Sequence, residues 1–298
     1  MTEQIVVGVD GSESALQASR WAAHEAALRD ADVRLVHVRQ LPLLLPAEDL
    51  YALELTEQGR KWLSAARDAA LDAAPDIDVH TDLRTGQPGE ELVAETEDAG
   101  LVVVGSRGLG GFRSLLLGSV ANALTAHGHC PVVVMRGRAV PEAGPVVVGV
   151  DGSPGSDNAL EFALAAAAVR GVDVLAVLAW TYEGLADAWL PATAVVDWDE
   201  IAEAQRRQFD DQLAKARTRY PDVPVRTVRF RGRPADGLLE HAENAQLVVV
   251  GTHGHHRLPG GALGSTSYAV LHHATCPVAV VGSGSGFRAI TADGTLSR

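Results

Sequence analysis

The chain has 298 residues, 47% of them hydrophobic, and its 25 Lys and Arg stand against 38 Asp and Glu for a formal net charge of −13. That content buries two ordinary cores without disulfides or a structural metal, and the acidic balance opposes non-specific attraction to nucleic acid or anionic lipid, which depends on clustered Lys and Arg. No apolar run approaches the ~20 residues needed to span a bilayer, and Met1-Thr2-Glu3-Gln4 lacks the basic segment and apolar core of a secretory signal, so no membrane or nucleic-acid partner is expected and the default location is cytoplasmic.

In chain order the pattern alternates: strand near 4–10, helix near 13–29, strand near 32–39, helix near 51–73, strand near 77–84, helix near 88–98, strand 101–104, helix 118–128 and strand 131–135. Such alternation is the mark of a parallel sheet covered by helices on both faces. Ala15, Ala18, Ala22 and Ala26 form a stripe of small residues that lets the first helix sit close to the sheet. The segment Leu41-Pro42-Leu43-Leu44-Leu45-Pro46 is less regular, as is its apolar counterpart between Trp180 and Trp198. Both read either as packing over the carboxyl edge of the sheet or as a partner-binding patch.

Residues 136–145 carry two prolines and two glycines and read as a linker, after which the same order of elements returns. The expected division is a first domain over 1–137, a linker over 138–145, a second domain over 146–283 and a Gly- and Ser-rich mobile tail over 284–298. Cys130-Pro131 returns as Cys276-Pro277. At the entrance to an apolar strand, both cysteines are expected to be reduced, buried small hydrophobes rather than catalytic or disulfide-forming.

The repeat is sharpest in one glycine pattern, G-x2-G-x9-G-[ST], which occurs as Gly105, Gly108, Gly118, Ser119 and again as Gly251, Gly254, Gly264, Ser265, at a constant offset of 146 residues. Each copy follows a buried-strand run, Leu101-Val102-Val103-Val104 or Leu247-Val248-Val249-Val250. Val7-Gly8-Val9-Asp10-Gly11-Ser12 likewise returns as Val148-Gly149-Val150-Asp151-Gly152-Ser153. A period this long is a whole small domain rather than a solenoid unit.

In an open parallel sheet, ligands collect beyond the carboxyl ends of the strands where the strand order reverses. If the loop after strand one, with Asp10 or Asp151, and the loop after strand four, from Gly105 or Gly251, serve one ligand, those strands are neighbours and the order is 3-2-1-4-5. Glycines there can take positive φ and turn N–H groups into a nest, and the next helix N-terminus adds unpaired donors. Ser119 and Ser265 can cap that helix or donate to a phosphate, while the competing reading makes Gly118-Ser119 an N-cap and nothing more. Asp10 and Asp151 suit ribose hydroxyls or an adenine amino group, or simply close an Asp-Gly-Ser turn.

On these residues the chain resembles the universal stress protein family in its tandem form, over nearly all of residues 4–282. The resemblance implies two doubly wound α/β domains, each with a five-stranded parallel sheet, and an ATP site in each, with ATP alone or with Mg2+. The first would use Gly8, Asp10, Gly11, Ser12, Val38, Gly105, Ser106, Arg107, Gly108, Gly110, Gly111, Gly118, Ser119 and Val120. The second would use Gly149, Asp151, Gly152, Ser153, Ala179, Gly251, Thr252, His253, Gly254, Gly264, Ser265 and Thr266. Many ATP-binding members place an Arg shortly before the Gly-Ser, where Leu115 and Gly261 stand here, leaving Arg113 or Arg257 as substitutes. His253, His255 and His256 make the second loop more neutral than the first, so tighter binding there in mild acid is expected. No accompanying carboxylate or cysteine favours a metal at these histidines.

The sequence has no G-x4-G-K-[ST] and no evident base beside either loop. The expectation is therefore a regulatory nucleotide-binding module with no or only slow hydrolysis, and the resemblance implies that its role lies in stress response or growth control. A slow ATPase or other nucleotide-dependent enzyme is the alternative, and a pseudo-dimer with relic sites a third reading. An open sheet leaves strand 131–135 or 277–281 on an edge, to be covered by the other domain of the same chain or in a homodimer, with a regulatory protein as a further partner.

Overall fold

The computed structural model describes residues 3–40, 50–109, 117–137, 143–180, 198–254 and 263–282. The segments 41–49 and 181–197, most of the interdomain linker, the tail and the middle of each glycine loop lie outside the described residues. The first unit runs β1 (Gln4–Gly8), α1 (Glu13–Arg29), β2 (Asp32–Arg39), α2 (Leu50–Ala73), β3 (Val79–Thr85), α3 (Pro88–Glu95), β4 (Leu101–Gly105), α4 (Ser119–His127) and β5 (Val132–Met135). The second runs β6 (Val146–Val150), α5 (Pro154–Arg170), β7 (Val174–Trp180), α6 (Trp198–Arg219), β8 (Val225–Arg231), α7 (Pro234–Ala242), β9 (Leu247–Gly251), α8 (Ser265–His273) and β10 (Val278–Val281).

Local chemistry sets these boundaries. Ser12 and Ser153 are N-caps that accept N–H bonds from Ala15 and Ser156, and Pro154, Pro88 and Pro234 open helices at a position where no N–H is needed. Asp30 and Gly171 end α1 and α5 in the left-handed conformation. The alanine stripe Ala15, Ala18, Ala22 and Ala26 is fully inside.

The strand order is β3-β2-β1-β4-β5-β10-β9-β6-β7-β8 in one sheet. Within each unit the pairing is parallel with the order 3-2-1-4-5, as the placement of the two loops requires. The units meet through β5 and β10, which pair antiparallel with Val133 opposite Ala279. Those two residues are themselves equivalent in the repeat, so the local two-fold passes between them. The edge that an isolated unit would expose is thereby covered from within the chain.

One apolar layer lies against α1, α2, α5 and α6, and another against α3, α4, α7 and α8; each is continuous from the first unit to the second. Cys130 and Cys276 belong to the second layer, where burial pushes both thiols up to about 12. Among the described residues, no helix is long and apolar enough to cross a membrane.

Candidate functional site

At the carboxyl end of β1 the chain leaves the sheet through Val9, whose N–H donates to the Val36 carbonyl at 2.9 Å, so Asp10 stands beside the end of β2. Asp10 Oδ1 accepts the backbone N–H of Ser12 at 3.0 Å and its hydroxyl at 2.6 Å. This is the side-chain turn that Asp-Gly-Ser favours. The other oxygen does something a turn does not require. Asp10 Oδ2 accepts the backbone N–H of Leu109 at 3.2 Å, joining the loop after β1 to the loop after β4.

That contact explains Gly108, because a Cβ there would overlap Asp10 Oδ2. The second unit repeats the arrangement: Asp151 Oδ1 accepts the N–H and hydroxyl of Ser153 at 2.9 and 2.6 Å, and a Cβ on Gly254 would overlap Asp151 Oδ2. Gly108 and Gly254 each clear space for a carboxylate from the loop after the neighbouring strand.

Positive φ in the motif glycines, expected from the sequence, is not what the structure shows. Among the described residues, left-handed glycines at the site are Gly11 (φ 83°) and Gly152 (φ 85°), which follow the aspartates, whereas Gly105, Gly108, Gly251 and Gly254 keep ordinary φ. A Cβ on Gly105 would strike the Ser14 hydroxyl, and one on Gly251 would lie 3.2 Å from the Gly155 carbonyl oxygen. These four glycines thus answer to close approach, and turn geometry is handled one loop earlier.

Gly118 and Gly264 are the N-caps of α4 and α8, with extended φ of −76° and −61° and no side-chain cap. Ser119 and Ser265 occupy the first helical position and do not cap, which corrects one of the two roles expected of them. Gly118 donates its N–H to the Ser106 carbonyl at 2.9 Å, and Gly264 to that of Thr252 at 2.8 Å, fixing each helix start over the strand-four loop. The uncapped N–H groups of the first turn, together with the exposed Ser119 and Ser265, suit an anion.

The remaining expected positions divide. Val38 is buried in the layer against α3 and α4, so only its backbone can face a ligand, and Ala179 sits in β7 opposite Phe230. Val120 and Thr266 are half-buried in the first turns of α4 and α8. Gly8 and Gly149 point toward Leu92 and Leu238, whose methyls lie 3.0 and 3.1 Å from where a Cβ would be, and so serve helix packing. Arg107 is exposed and His253 half-buried. Gly110, Gly111, Arg113, Leu115, His255, His256, Arg257 and Gly261 lie outside the described residues.

Three features were not anticipated. The Ser14 hydroxyl donates to the Arg107 carbonyl at 2.5 Å, and its equivalent, Gly155, has a bare Cα there because a Cβ would come 2.8 Å from the His253 carbonyl. Trp62 of α2 covers Gly11 and meets His37 edge to face at 5.1 Å between ring centres. Its equivalent in α6, Gln208, donates to the Gly152 carbonyl at 2.6 Å. The spacing of Ser14 from the Asp could have flagged the first feature, but nothing local points from Trp62 to Gly11. Beside the α4 start, a cavity of about 490 Å³ is lined by Ser119, Val120, Ala123, Gln40 and Gln87 among others.

Proteins of a known family match this chain over more than nine-tenths of its length. A universal stress protein of Mycobacterium tuberculosis is 37% identical over 299 residues, covering 93% of this chain and 94% of that protein, and one of Mycolicibacterium smegmatis is 38% identical, covering 93% and 96%. The crystal structure of a universal stress protein from Archaeoglobus fulgidus superposes with a TM-score of 0.73 at 22% identity, covering 95% of this chain and all of that one, a likeness of fold. The universal stress protein family model matches residues 1–136 and again 143–282, and the chain belongs to that family, in the form that carries two copies in one polypeptide.

Proposed function

We propose that the chain is a regulatory nucleotide-binding protein of the cytoplasm that holds ATP, alone or with Mg2+, at both strand-one and strand-four loops, with no or only slow hydrolysis. The observation that carries this reading is the Asp10 carboxylate: it joins the two loops through Leu109 N–H and occupies the space opened by Gly108, and Asp151 meets Gly254 in the same way. Such a junction at the switch point brings a carboxylate for ribose hydroxyls within one loop of an uncapped helix start for phosphates.

In this reading Asp10, Gly11 and Ser12 hold the nucleoside with the backbone at Val38, while Gly105, Ser106, Arg107, Gly108, Gly118, Ser119 and Val120 hold the phosphates. Gly110 and Gly111 belong to the same loop. Asp151, Gly152, Ser153, Ala179, Gly251, Thr252, His253, Gly254, Gly264, Ser265 and Thr266 do so in the second unit. Family membership supports a role in stress adaptation or growth control, exerted through a homodimer or another protein.

The test is mass spectrometry of small molecules released on denaturing freshly purified protein, beside an Asp10→Ala, Asp151→Ala double variant. ATP or ADP from the parent and none from the variant is the expected result. No release, together with no thermal stabilisation by added ATP, would sink the reading, since a ligand at about 100 times its dissociation constant adds about 2.7 kcal/mol. Multiple-turnover kinetics separates a slow ATPase, and turnover above about 1 per second would make the protein an enzyme.

A further inference from the structure

In the first unit the Arg107 carbonyl is turned toward the start of α1, where it accepts the Ser14 hydroxyl at 2.5 Å and lies 3.3 Å from the hydroxyl of Ser12. A hydroxyl carries one proton to donate. The Ser12 proton goes to Asp10 Oδ1 at 2.6 Å, the shortest of its contacts, so the bond to Arg107 rests on Ser14. Gly105 makes room for that hydroxyl, since a Cβ there would overlap Ser14 Oγ. The second unit has no hydroxyl at this point: the equivalent of Ser14 is Gly155, where a Cβ would come 2.8 Å from the His253 carbonyl oxygen.

The Ser14 bond sets the direction of a whole peptide group. In a planar trans peptide the C=O and the following N–H point in opposite directions, so an Arg107 oxygen pinned at α1 turns the Gly108 N–H away from α1. Gly108 N lies 4.0 Å from where a Cβ of Gly118 would stand, beside the uncapped start of α4. Among the described residues, nothing accepts the Gly108 N–H. A glycine next to this peptide makes a flip easy, because its φ and ψ are little restricted. A flipped peptide would present its oxygen to an anion in place of the N–H, and so reverse the sign of the local dipole.

We propose that Ser14 is a positioning residue of the first site: its hydroxyl locks the Arg107–Gly108 peptide so that the Gly108 N–H faces the phosphates of the bound nucleotide. This role rests on the nucleotide reading for its ligand. Ser14 acts through Arg107 and touches no phosphate itself, and the lock is confined to the first site.

The test uses the full chain in the Asp151→Ala background, which leaves the first site alone, with Ser14→Ala and Ser14→Thr compared there. Ser14 is half-buried and both changes keep its Cβ, so folding survives. ATP, adenosine and inorganic pyrophosphate are titrated by calorimetry, and exchange of the Gly108 amide is followed by NMR with and without pyrophosphate. Ser14→Ala is expected to weaken ATP and pyrophosphate about tenfold, a loss of about 1.4 kcal/mol, and to leave adenosine unchanged. It should also abolish the slowing of Gly108 exchange that pyrophosphate gives when Ser14 is present, and Ser14→Thr, which keeps the hydroxyl, should restore all of these. ATP binding indifferent to Ser14→Ala, or a loss shared equally by ATP and adenosine, overturns the lock and leaves the nucleotide reading standing. Pyrophosphate binding that needs Ser14 in a chain that binds no ATP keeps the lock and sinks the nucleotide reading. Binding of neither ATP nor pyrophosphate by the unmodified chain overturns both.

Discussion

Glu25 of α1 and Arg170 of α5 close an ion pair across the seam, with Arg170 Nη1 also 3.4 Å from Glu25 Oε1 and both side chains almost wholly buried. The same carboxylate takes Arg29 Nε at 2.6 Å. Arg29 and Arg170 are equivalent in the repeat, and each lies over the aromatic ring of the other unit, Arg29 over Phe162 at 5.7 Å and Arg170 over Trp21 at 5.6 Å. Phe162 and Trp21 are equivalent too. The residue matching Glu25, however, is Ala166, so Glu25 serves both arginines, with Glu3 3.9 Å from Arg29 alone.

Removing that carboxylate leaves two guanidinium groups buried beside each other. Breaking a buried pair by losing one partner costs about 3–5 kcal/mol. Glu25→Gln is expected to lose stability in that range by denaturant unfolding, whereas Glu203→Gln, in an exposed pair with Arg206, is expected to change little.

Acid should act through the same cluster. Burial raises the Glu25 carboxyl, but the charges and hydrogen bonds of Arg29 and Arg170 outweigh it and hold the group below the usual carboxylate range. Its contribution is therefore full above the unfolded value of about 4.3 and lost as pH falls through the lower folded one. Glu3, raised chiefly by burial against the pull of Arg29, has the opposite sign: its share is present below the unfolded value and lost as pH rises through the folded one. Unfolding curves over about pH 3 to 7 should show a flatter acid limb in Glu25→Gln and a gain near neutrality in Glu3→Gln.

The glycines of the motif are predicted to differ in tolerance. Gly108→Ala and Gly254→Ala push against an aspartate oxygen and should abolish nucleotide binding with a stability loss of about 1–3 kcal/mol from displaced, hydrogen-bonded carboxylates. Gly118→Ala meets its first neighbour at 3.6 Å and has ordinary φ, so only the poorer N-cap counts, about 1 kcal/mol. Thermal melts and nucleotide titrations of the variants check the ranking, and equal effects would contradict it.

Trp62 reports on the first site alone, since Gln208 takes its place in the second. Nucleotide binding should shift the tryptophan emission of the parent chain, and Trp62→Phe should remove most of that shift while leaving the number of nucleotides bound unchanged. A full shift in Trp62→Phe would place the reporter elsewhere.

Val133 sits in β5 between β4 and β10. Val133→Pro removes a ladder donor in a strand bonded on both sides, and a loss of about 3 kcal/mol or more is expected, with faster amide exchange in β10. Unaltered exchange in β10 would mean that the two units hold together without this pairing.

Much of this was legible in the chain. Runs such as Leu101-Val102-Val103-Val104, bounded by Gly, mark buried parallel strands within a residue or two, and two loops meant for one ligand dictate the strand order. The antiparallel pairing of β5 with β10 follows from an edge that needs cover. The reason for Gly108 does not follow, because a glycine that avoids a carboxylate 98 residues away looks the same in sequence as one that adopts positive φ. Trp62 over Gly11 and the shared Glu25 are equally silent, being contacts between elements whose separation in sequence carries no period.

The Glu25-to-Ala166 difference also bears on how far the halves can be exchanged. A duplicated chain begins with two interchangeable copies, and any pairing of them, first with first or second with second, is equivalent. Because Glu25 answers for both Arg29 and Arg170, with Glu3 beside Arg29 alone, two second units joined through the same seam would bring Arg170 against Arg170 without that carboxylate, and two first units would place a pair of Glu25 side chains where the present seam has one. The fusion has become irreversible in a physical sense, because each half is now fitted to its unlike sibling and not to its own copy.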